Sequence, residues 1–218
     1  MLYFNTINDL LKRALLKLMN APEFKDFRLV GGTALSLQLG HRISVDLDLF
    51  SDLEYGSIDF VSIENFLKSH FEYFDTFSTS HTGIGKSYVV GKDRQNAIKL
   101  DVYYTDKFIE TATVFGDIRL ATLREIIAMK IDVVQRGGRK KDFWDLHEFF
   151  SNFSLNEMLE LHKKRYPYSH DKELIIRNLI SFDSADFDFE PICLKGKYWQ
   201  FIKEDIEEIV SYYIKELS

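Results

Sequence analysis

Two acidic residues, Asp46 and Asp48, alternate with apolar residues in segment 45–50 of the sequence. This period-two alternation predicts a β-strand whose two carboxylates share one face, roughly 6.8 Å apart along the chain. Because like charges so close repel each other, they favour either a solvated edge strand or a bound cation. Carboxylate oxygens of this kind suit Mg²⁺ or Mn²⁺, held together with substrate phosphates. The core-facing side of the predicted strand consists of Val45, Leu47 and Leu49.

A glycine pair precedes this strand and offers a second chemical feature. Gly31 and Gly32 follow a short predicted strand at 27–30 and open a predicted helix at 33–39. Backbone amides at such a turn can approach a phosphate closely, helped by the helix N-terminus, and Thr33 adds a hydroxyl group. The alternative interpretation is a tight turn that binds no ligand.

A third carboxylate, Asp101, lies in the predicted strand 97–104. Alternation puts Lys99, Asp101 and Tyr103 on one face of this strand. If the strand lies beside 45–50, three acids converge, which is the ligand count of a two-metal phosphoryl-transfer site. Asp101 would then be a metal ligand or a base; otherwise it is a surface acid.

Lys130 interrupts the apolar stripe of a helix predicted at 122–135. The spacing of Thr122 and Glu125 is typical of a capping box at the start of that helix. An unpaired ammonium on an apolar face is costly. The long side chain therefore either snorkels to the surface or contacts a phosphate, and we favour the phosphate.

The next predicted helix, 141–150, presents Asp142 and Asp145 on one face, since residues three apart are neighbours. In the functional interpretation Lys141 contacts a phosphate, and Asp142 orients Lys141 or the lysine of the preceding helix. A solvated helix face explains Asp145 equally well. A solvated face explains Glu148 equally well too, and Lys140 is assigned to solvent. His41 and Arg42 precede the strand; Arg42 could contact a phosphate, but a loop role is favoured.

These motifs together resemble the DNA polymerase β-type nucleotidyltransferase superfamily. The glycine pair, thirteen intervening residues, the sequence DLDL and a later strand aspartate carry the resemblance. More narrowly, GGTALSLQLGHRISVDLDLF and GGRKKDFWDLHEFF resemble the AbiEii/AbiGii toxin family, whose last motif, Arg-x-Lys-Asp-x-x-Asp, falls on 139–145. The resemblance covers about residues 28–150.

The resemblance implies roles for particular residues. Gly32 and Thr33 would lie near the triphosphate, and Asp46, Asp48 and Asp101 would hold the metals. The family also places a lysine in a helix like the one predicted at 122–135. Its members are nucleotide-binding toxins of bacterial toxin–antitoxin and phage-abortive systems, and some resemble enzymes that extend tRNA ends. A nucleoside triphosphate substrate, an RNA acceptor such as tRNA and a cognate antitoxin are therefore expected.

The order of elements predicts an α+β fold. Residues 1–120 are expected to form a nucleotidyltransferase-like mixed β-sheet with flanking helices, and 121–218 a helical region that completes the active-site cleft. Other helices are predicted at 5–20, 59–70, 154–165, 171–180 and 199–216, and other strands at 71–79, 86–91 and 116–120. Residues 181–198 are predicted to be a loop or a short strand.

Composition restricts the function classes. The net charge of −6 argues against broad nonspecific affinity for nucleic acid, although three clusters of lysine and arginine could build local basic surfaces. These clusters are Lys92 with Arg94 and Lys99, Arg136 with Arg139, Lys140 and Lys141, and Lys163 with Lys164 and Arg165. The single cysteine, Cys193, excludes an internal disulfide and a cysteine-based zinc site, and fits a cytoplasmic protein. No signal-peptide pattern and no apolar run near membrane-spanning length is present, so no membrane partner is expected.

Three functions are compatible with the sequence. The first is a metal-dependent enzyme that moves a nucleoside monophosphate from a triphosphate to an acceptor hydroxyl. The second is a protein that binds nucleotide without turnover and acts through protein contacts, against which the three intact aspartates argue. The third is a metal-dependent phosphohydrolase, which the lack of paired histidine and aspartate ligands disfavours.

Overall fold

The computed structural model describes residues 1–76 and 83–216, and the part of the predicted strand at 77–79 lies outside them. The chain forms two compact units. Met1–Gly40 and Ser44–Thr122 make up the first, and the second contains His41–Ile43 and the chain from Leu123 onward.

The first unit is built around a seven-stranded sheet with the order β3-β4-β5-β2-β1-β7-β6. Two strand pairs, β2 with β5 and β1 with β7, are parallel, and the other pairs are antiparallel. The strands are β1 (Arg28–Leu29), β2 (Asp46–Ser51), β3 (Tyr73–Thr76), β4 (Gly85–Gly91), β5 (Ala97–Tyr104), β6 (Thr113–Phe115) and β7 (Ile118–Leu120). This mixed sheet confirms the predicted fold class.

Helices α1 (Asp9–Met19), α2 (Gly31–Leu39) and α3 (Phe60–His70) belong to this unit, with 3-10 turns at Phe4–Thr6 and Pro22–Phe24. Helix α1 begins where the Asn8 side chain accepts a hydrogen bond from the backbone of Leu11. Its apolar stripe, predicted from the spacing, is fully buried at Leu11, Leu15 and Leu18. The sequence prediction therefore placed this helix correctly, apart from the turn that precedes it.

Two details of the sheet differ from the sequence prediction. Val45, expected to face the core, is 58% exposed and precedes β2. Alternation alone could not show that pairing begins one residue later. The single strand predicted at 116–120 is instead the hairpin of β6 and β7, which turns at Gly116 with φ +60°.

The second unit is helical in the described residues. Its helices are α4 (Leu123–Gln135), α5 (Lys140–His147), α6 (Leu155–Arg165), α7 (Lys172–Leu179), α8 (Asp183–Asp186) and α9 (Trp199–Glu216). Trp144 stacks on Trp199 with ring centroids 6.4 Å apart, joining α5 to α9. The segment predicted at 181–198 to be a loop or short strand contains α8 and a single bridge between Cys193 and Arg42.

Helix α4 also contains a buried ion pair. Glu125, predicted as part of a capping box, is fully buried and pairs with Arg165 of α6. In the part of the chain that the structure describes, no helix is both long enough and apolar enough to cross a bilayer.

Candidate active site

The parallel pairing of β2 with β5 brings the three predicted metal ligands to one face of the sheet. Asp48 lies opposite Asp101, and Asp46 lies opposite Lys99. The neighbours Leu47 and Leu100 point into the core and are completely buried. The strand pairing on which the sequence made the convergence conditional is therefore present in the structure.

Asp101 has two oxygens in different situations. Lys99 Nζ lies 2.6 Å from Asp101 Oδ2, with the lysine side chain 46% exposed and the aspartate 17% exposed. Asp101 Oδ1 is buried, and no hydrogen-bond partner for it exists among the described residues. A buried oxygen left without a partner costs free energy, and a ligand that fills the position recovers it.

All three carboxylates affect the pKa of the Lys99 ammonium. Burial alone would lower the pKa of its ammonium, but the hydrogen bond and charge of Asp101 outweigh this and raise it above its ordinary value. The two aspartates of β2 contribute in the same direction. The sequence interpretation, which counted Lys99 in a surface basic cluster, missed this role. The spacing Lys-x-Asp on one strand face was the available signal.

Gly31 is required where α2 passes β2. Its φ of +65° lies in the left-handed region, and a Cβ built there would lie 2.4 Å from Asp48 Oδ2. The N–H of Val30, the preceding residue, donates to the carbonyl oxygen of Asp48 at 2.9 Å. The first turn of α2 and the Asp48 carboxylate are thus held side by side, and only glycine fits at this contact.

Thr33 acts on the same strand through its hydroxyl. Oγ1 donates to the backbone oxygen of Asp46 at 2.5 Å and lies 2.7 Å from Ser44 Oγ. Because the Thr33 proton is used by Asp46, the serine hydroxyl is the donor between the two side chains. Thr33 is 1% exposed, so in this structure its hydroxyl positions the backbone of β2 rather than facing solvent. Gly32, in contrast, is half-buried in the first turn of α2.

The donor set fits a hard divalent cation. Carboxylate oxygens are the ligands that Mg²⁺ prefers, and the buried Asp101 Oδ1 has no hydrogen-bond partner among the described residues. In residues 1–76 and 83–216, however, no group of three or more histidine, cysteine or acidic side chains is arranged so that it could hold a metal ion. The carboxylates share a face without forming a finished cage.

A second charged cluster lies in the helical unit. Lys130 Nζ lies 2.6 Å from both Asp142 Oδ1 and Asp145 Oδ2, and the lysine is 6% exposed. Snorkelling to the surface is therefore excluded. The prediction that Asp142 orients Lys130 agrees with this contact, while Lys141 is half-exposed on the same helix.

Asp145 is the centre of this cluster. Arg42 approaches it with two nitrogens, Nε at 2.6 Å and Nη2 at 2.8 Å, and His41 Nε2 lies 2.8 Å from Oδ1. Burial alone would raise the pKa of the Asp145 carboxyl, but the charges of Lys130 and Arg42 hold it well below its usual range. A buried carboxylate with this many donors is a permanent anion.

The structure excludes the solvated interpretation of Asp145 and Glu148, and the assignment of Lys140 to solvent was wrong. Asp145 is 0% exposed and Glu148 is 6% exposed, so neither lies on a solvated helix face. Lys140 is 5% exposed, with its ammonium 5.5 Å from the ring centroid of Trp199. Arg42, assigned to a loop, is a buried ion-pair partner. Helical spacing identifies faces, but it does not show which face another segment covers.

Several members of the predicted basic clusters are paired with acids. Arg139 pairs with Asp188 at 2.9 Å, and Arg136 with Asp132 at 2.5 Å. Arg165 is used internally by Glu125. Lys163 and Lys164 remain exposed at the end of α6. The clusters therefore supply less open positive surface than their sequences suggested.

A mixed sheet that carries two aspartates beside a glycine-opened helix, with a third aspartate on the adjacent parallel strand, matches the arrangement expected of a nucleotidyltransferase. The family model described as nucleotidyl transferase AbiEii toxin, type IV toxin–antitoxin system, matches residues 13–212. The chain belongs to this family.

Individual relatives are less than 30% identical to this chain in sequence. An uncharacterized protein of Aquifex aeolicus is 29% identical over 221 residues, which span 94% of this chain and 96% of that protein. JHP933 from Helicobacter pylori is similar in structure with a TM-score of 0.59 and 21% identity, covering 95% of this chain and 90% of that one. MenT4, a nucleotidyltransferase toxin from Mycobacterium tuberculosis, gives a TM-score of 0.57 at 18% identity, covering 92% and 82%. At such identities the two structures support the fold.

Proposed function

We propose that this toxin-family nucleotidyltransferase depends on a divalent metal, Mg²⁺ or Mn²⁺, held by Asp46, Asp48 and Asp101. Its reaction transfers a nucleoside monophosphate from a triphosphate to an acceptor hydroxyl. The observation that carries the proposal is the register of β2 and β5, which sets Asp101 beside Asp48 on the face where Gly31 opens α2. When bound, the metal would neutralise charge on the phosphates and on the attacking oxygen.

The chemistry assigns work to the chain's own residues. The acceptor oxygen forms a bond to the α-phosphorus while the bond from that phosphorus to the β-phosphate oxygen breaks, and pyrophosphate leaves. Asp101, the third carboxylate, would take the hydroxyl proton. Gly31 and Gly32 would allow a phosphate to approach the first amides of α2. Lys130, Lys141 and Asp142 stay predicted nucleotide contacts.

The acceptor is proposed to be RNA, with tRNA preferred, and the partner a cognate antitoxin. Both rest on membership of a type IV toxin–antitoxin family. The paired state of Arg136, Arg139 and Arg165 removes part of the electrostatic argument for RNA. With few open cations, RNA binding would show a shallow dependence on salt concentration.

The test combines radiolabelled nucleoside triphosphates, Mg²⁺ and total cell RNA. Asp46→Asn and Asp48→Asn should each abolish transfer, since each removes a metal-ligand charge, while circular dichroism stays unchanged. Asp106→Asn is the matched control, because this aspartate is exposed just beyond β5 and outside the site. Near-normal transfer by either β2 variant would exclude the metal site.

A nucleotide titration with and without Mg²⁺ provides the second measurement. The carboxylates and the triphosphate are all anionic, so binding should strengthen severalfold when the metal is present. Equal affinities would contradict the mechanism. Tight nucleotide binding by the native chain without any labelled product would favour instead a binding protein that acts through protein contacts.

A further inference from the structure

Lys99 is the cation within the predicted metal-binding face. It lies opposite Asp46 in the β2–β5 register, and its ammonium is hydrogen-bonded to Asp101 Oδ2 at 2.6 Å. Nothing in the proposed chemistry uses it. A lysine on an exposed strand face has many positions open to it, yet here the ammonium contacts a predicted metal ligand.

The contact places a fixed positive charge where a divalent cation would bind. Asp101 Oδ2 is occupied by the ammonium, while Oδ1 is buried and has no partner among the described residues. A metal held by Oδ1 would lie within a few ångströms of Lys99 and be repelled by it. Consistent with this, no group of three or more histidine, cysteine or acidic side chains in the described residues is arranged to hold a metal ion.

We propose that Lys99 is a built-in counter-ion that prevents the carboxylates from holding a divalent metal alone, so that metal and triphosphate bind together. The inference rests on the metal site of the proposed function. A triphosphate supplies the negative charge that the site lacks without nucleotide. Its oxygens ligate the metal and accept hydrogen bonds from the displaced ammonium of Lys99. Lys99 is half-exposed on a flexible stem, so it can turn from Asp101 to a phosphate without moving β5.

A positioning role makes the opposite prediction. If Lys99 served to hold Asp101 so that Oδ1 faces the metal, its removal would weaken metal binding. The sign of the change in affinity for metal alone therefore separates the two roles.

The experiment measures Mn²⁺ binding to the full chain, without nucleotide, by the electron paramagnetic resonance signal of free Mn²⁺. Lys99→Met should raise the affinity about tenfold, the effect of one unit charge about 5 Å from a divalent ion under water-like screening. Lys99→Arg keeps the charge and should behave like the native chain. Lys92→Met, at an exposed position of the β4–β5 turn, is the control and should change nothing.

Unchanged or weaker Mn²⁺ binding by Lys99→Met would overturn the proposal. A gain that persists in Lys99→Met/Asp101→Asn would also overturn it, because the metal would then be bound elsewhere. Failure of the proposed function is a separate result, namely no transfer and no metal-dependent nucleotide binding by the native chain. Because the Mn²⁺ measurement contains no nucleotide, the two failures are distinguishable.

Discussion

Replacing Asp145 by asparagine should strongly destabilise the helical unit. Asp145 is completely buried, with Lys130 at 2.6 Å and Arg42 at 2.6 Å and 2.8 Å. Asparagine keeps the size of the side chain but removes the charge, so the two buried cations Lys130 and Arg42 lose the carboxylate that they share. Breaking a buried pair by removing one partner costs about 3–5 kcal/mol, and we expect a loss in that range.

Tryptophan fluorescence during urea unfolding is a suitable assay. The chain has two tryptophans, Trp144 and Trp199, and both are buried in the helical unit. With a denaturant dependence of about 2 kcal/mol per molar urea, the predicted loss lowers the midpoint by roughly 1.5–2.5 M. Asp188→Asn is the matched control, since its partner Arg139 is 61% exposed at the side chain and such pairs contribute about 1 kcal/mol or less.

The pH dependence of the difference follows from the lowered pKa of Asp145. A carboxyl whose folded pKa is depressed stabilises the fold above its unfolded pKa, about 3.9, and loses this contribution as pH falls through the folded value. The gap between the native chain and Asp145→Asn should therefore be constant from neutral pH to about pH 4 and shrink below it. A midpoint shift no larger than that of Asp188→Asn, or a gap that closes between pH 5 and 7, would refute this reasoning.

Two further substitutions test single contacts. Gly31→Ala should abolish most transfer, because the added methyl group would push the Asp48 carboxylate aside. The control Gly116→Ala has a similar positive φ but open space around it, so it should cost only about 1 kcal/mol of stability and leave transfer intact. Equal transfer activities of the two variants would contradict the close contact. Lys130→Met should lower the free energy of unfolding by about 3–5 kcal/mol, measured by urea titration, because it removes the buried ammonium that pairs with two buried carboxylates. In the fraction that stays folded, transfer should fall at least about 30-fold if Lys130 contacts the nucleotide, and full activity would remove it from the site.

Local patterns were enough to predict the candidate site on the sheet. Alternation in β2 and β5 fixes which face each aspartate occupies, because a one-residue error would bury the charges and expose the leucines. The glycine pair predicted a close approach of backbone amides to a phosphate, which stays a prediction; the close approach that the structure shows is between Gly31 and the Asp48 carboxylate. Alternation within a strand depends only on neighbouring residues, whereas the pairing of β2 with β5 that sets Asp48 opposite Asp101 could not be predicted from it.

Long-range partners could not be predicted in this way. Arg42 and Asp145 are 103 residues apart, and nothing in the spacing of either helix or loop indicates that they pair. The same limit applies to Lys140, which spacing assigned to solvent although Trp199 of α9 covers it. A charged residue on a helix looks solvated until the covering segment is known.

Asp145 and Asp101 differ in how many of their carboxylate oxygens have hydrogen-bond partners. This difference distinguishes a carboxylate that stabilises the fold from one that is available for chemistry. Both oxygens of Asp145 accept from cationic partners, so the replacement of Asp145 should mainly change stability. Asp101 has one oxygen on Lys99 and one that is buried without a partner in the described part of the chain. An unsatisfied buried oxygen costs about 1–3 kcal/mol that a purely structural carboxylate would not impose on the fold. A ligand that binds Asp101 Oδ1 after Lys99 has moved away would recover this free energy. Such a ligand explains why the fold contains an unsatisfied buried oxygen.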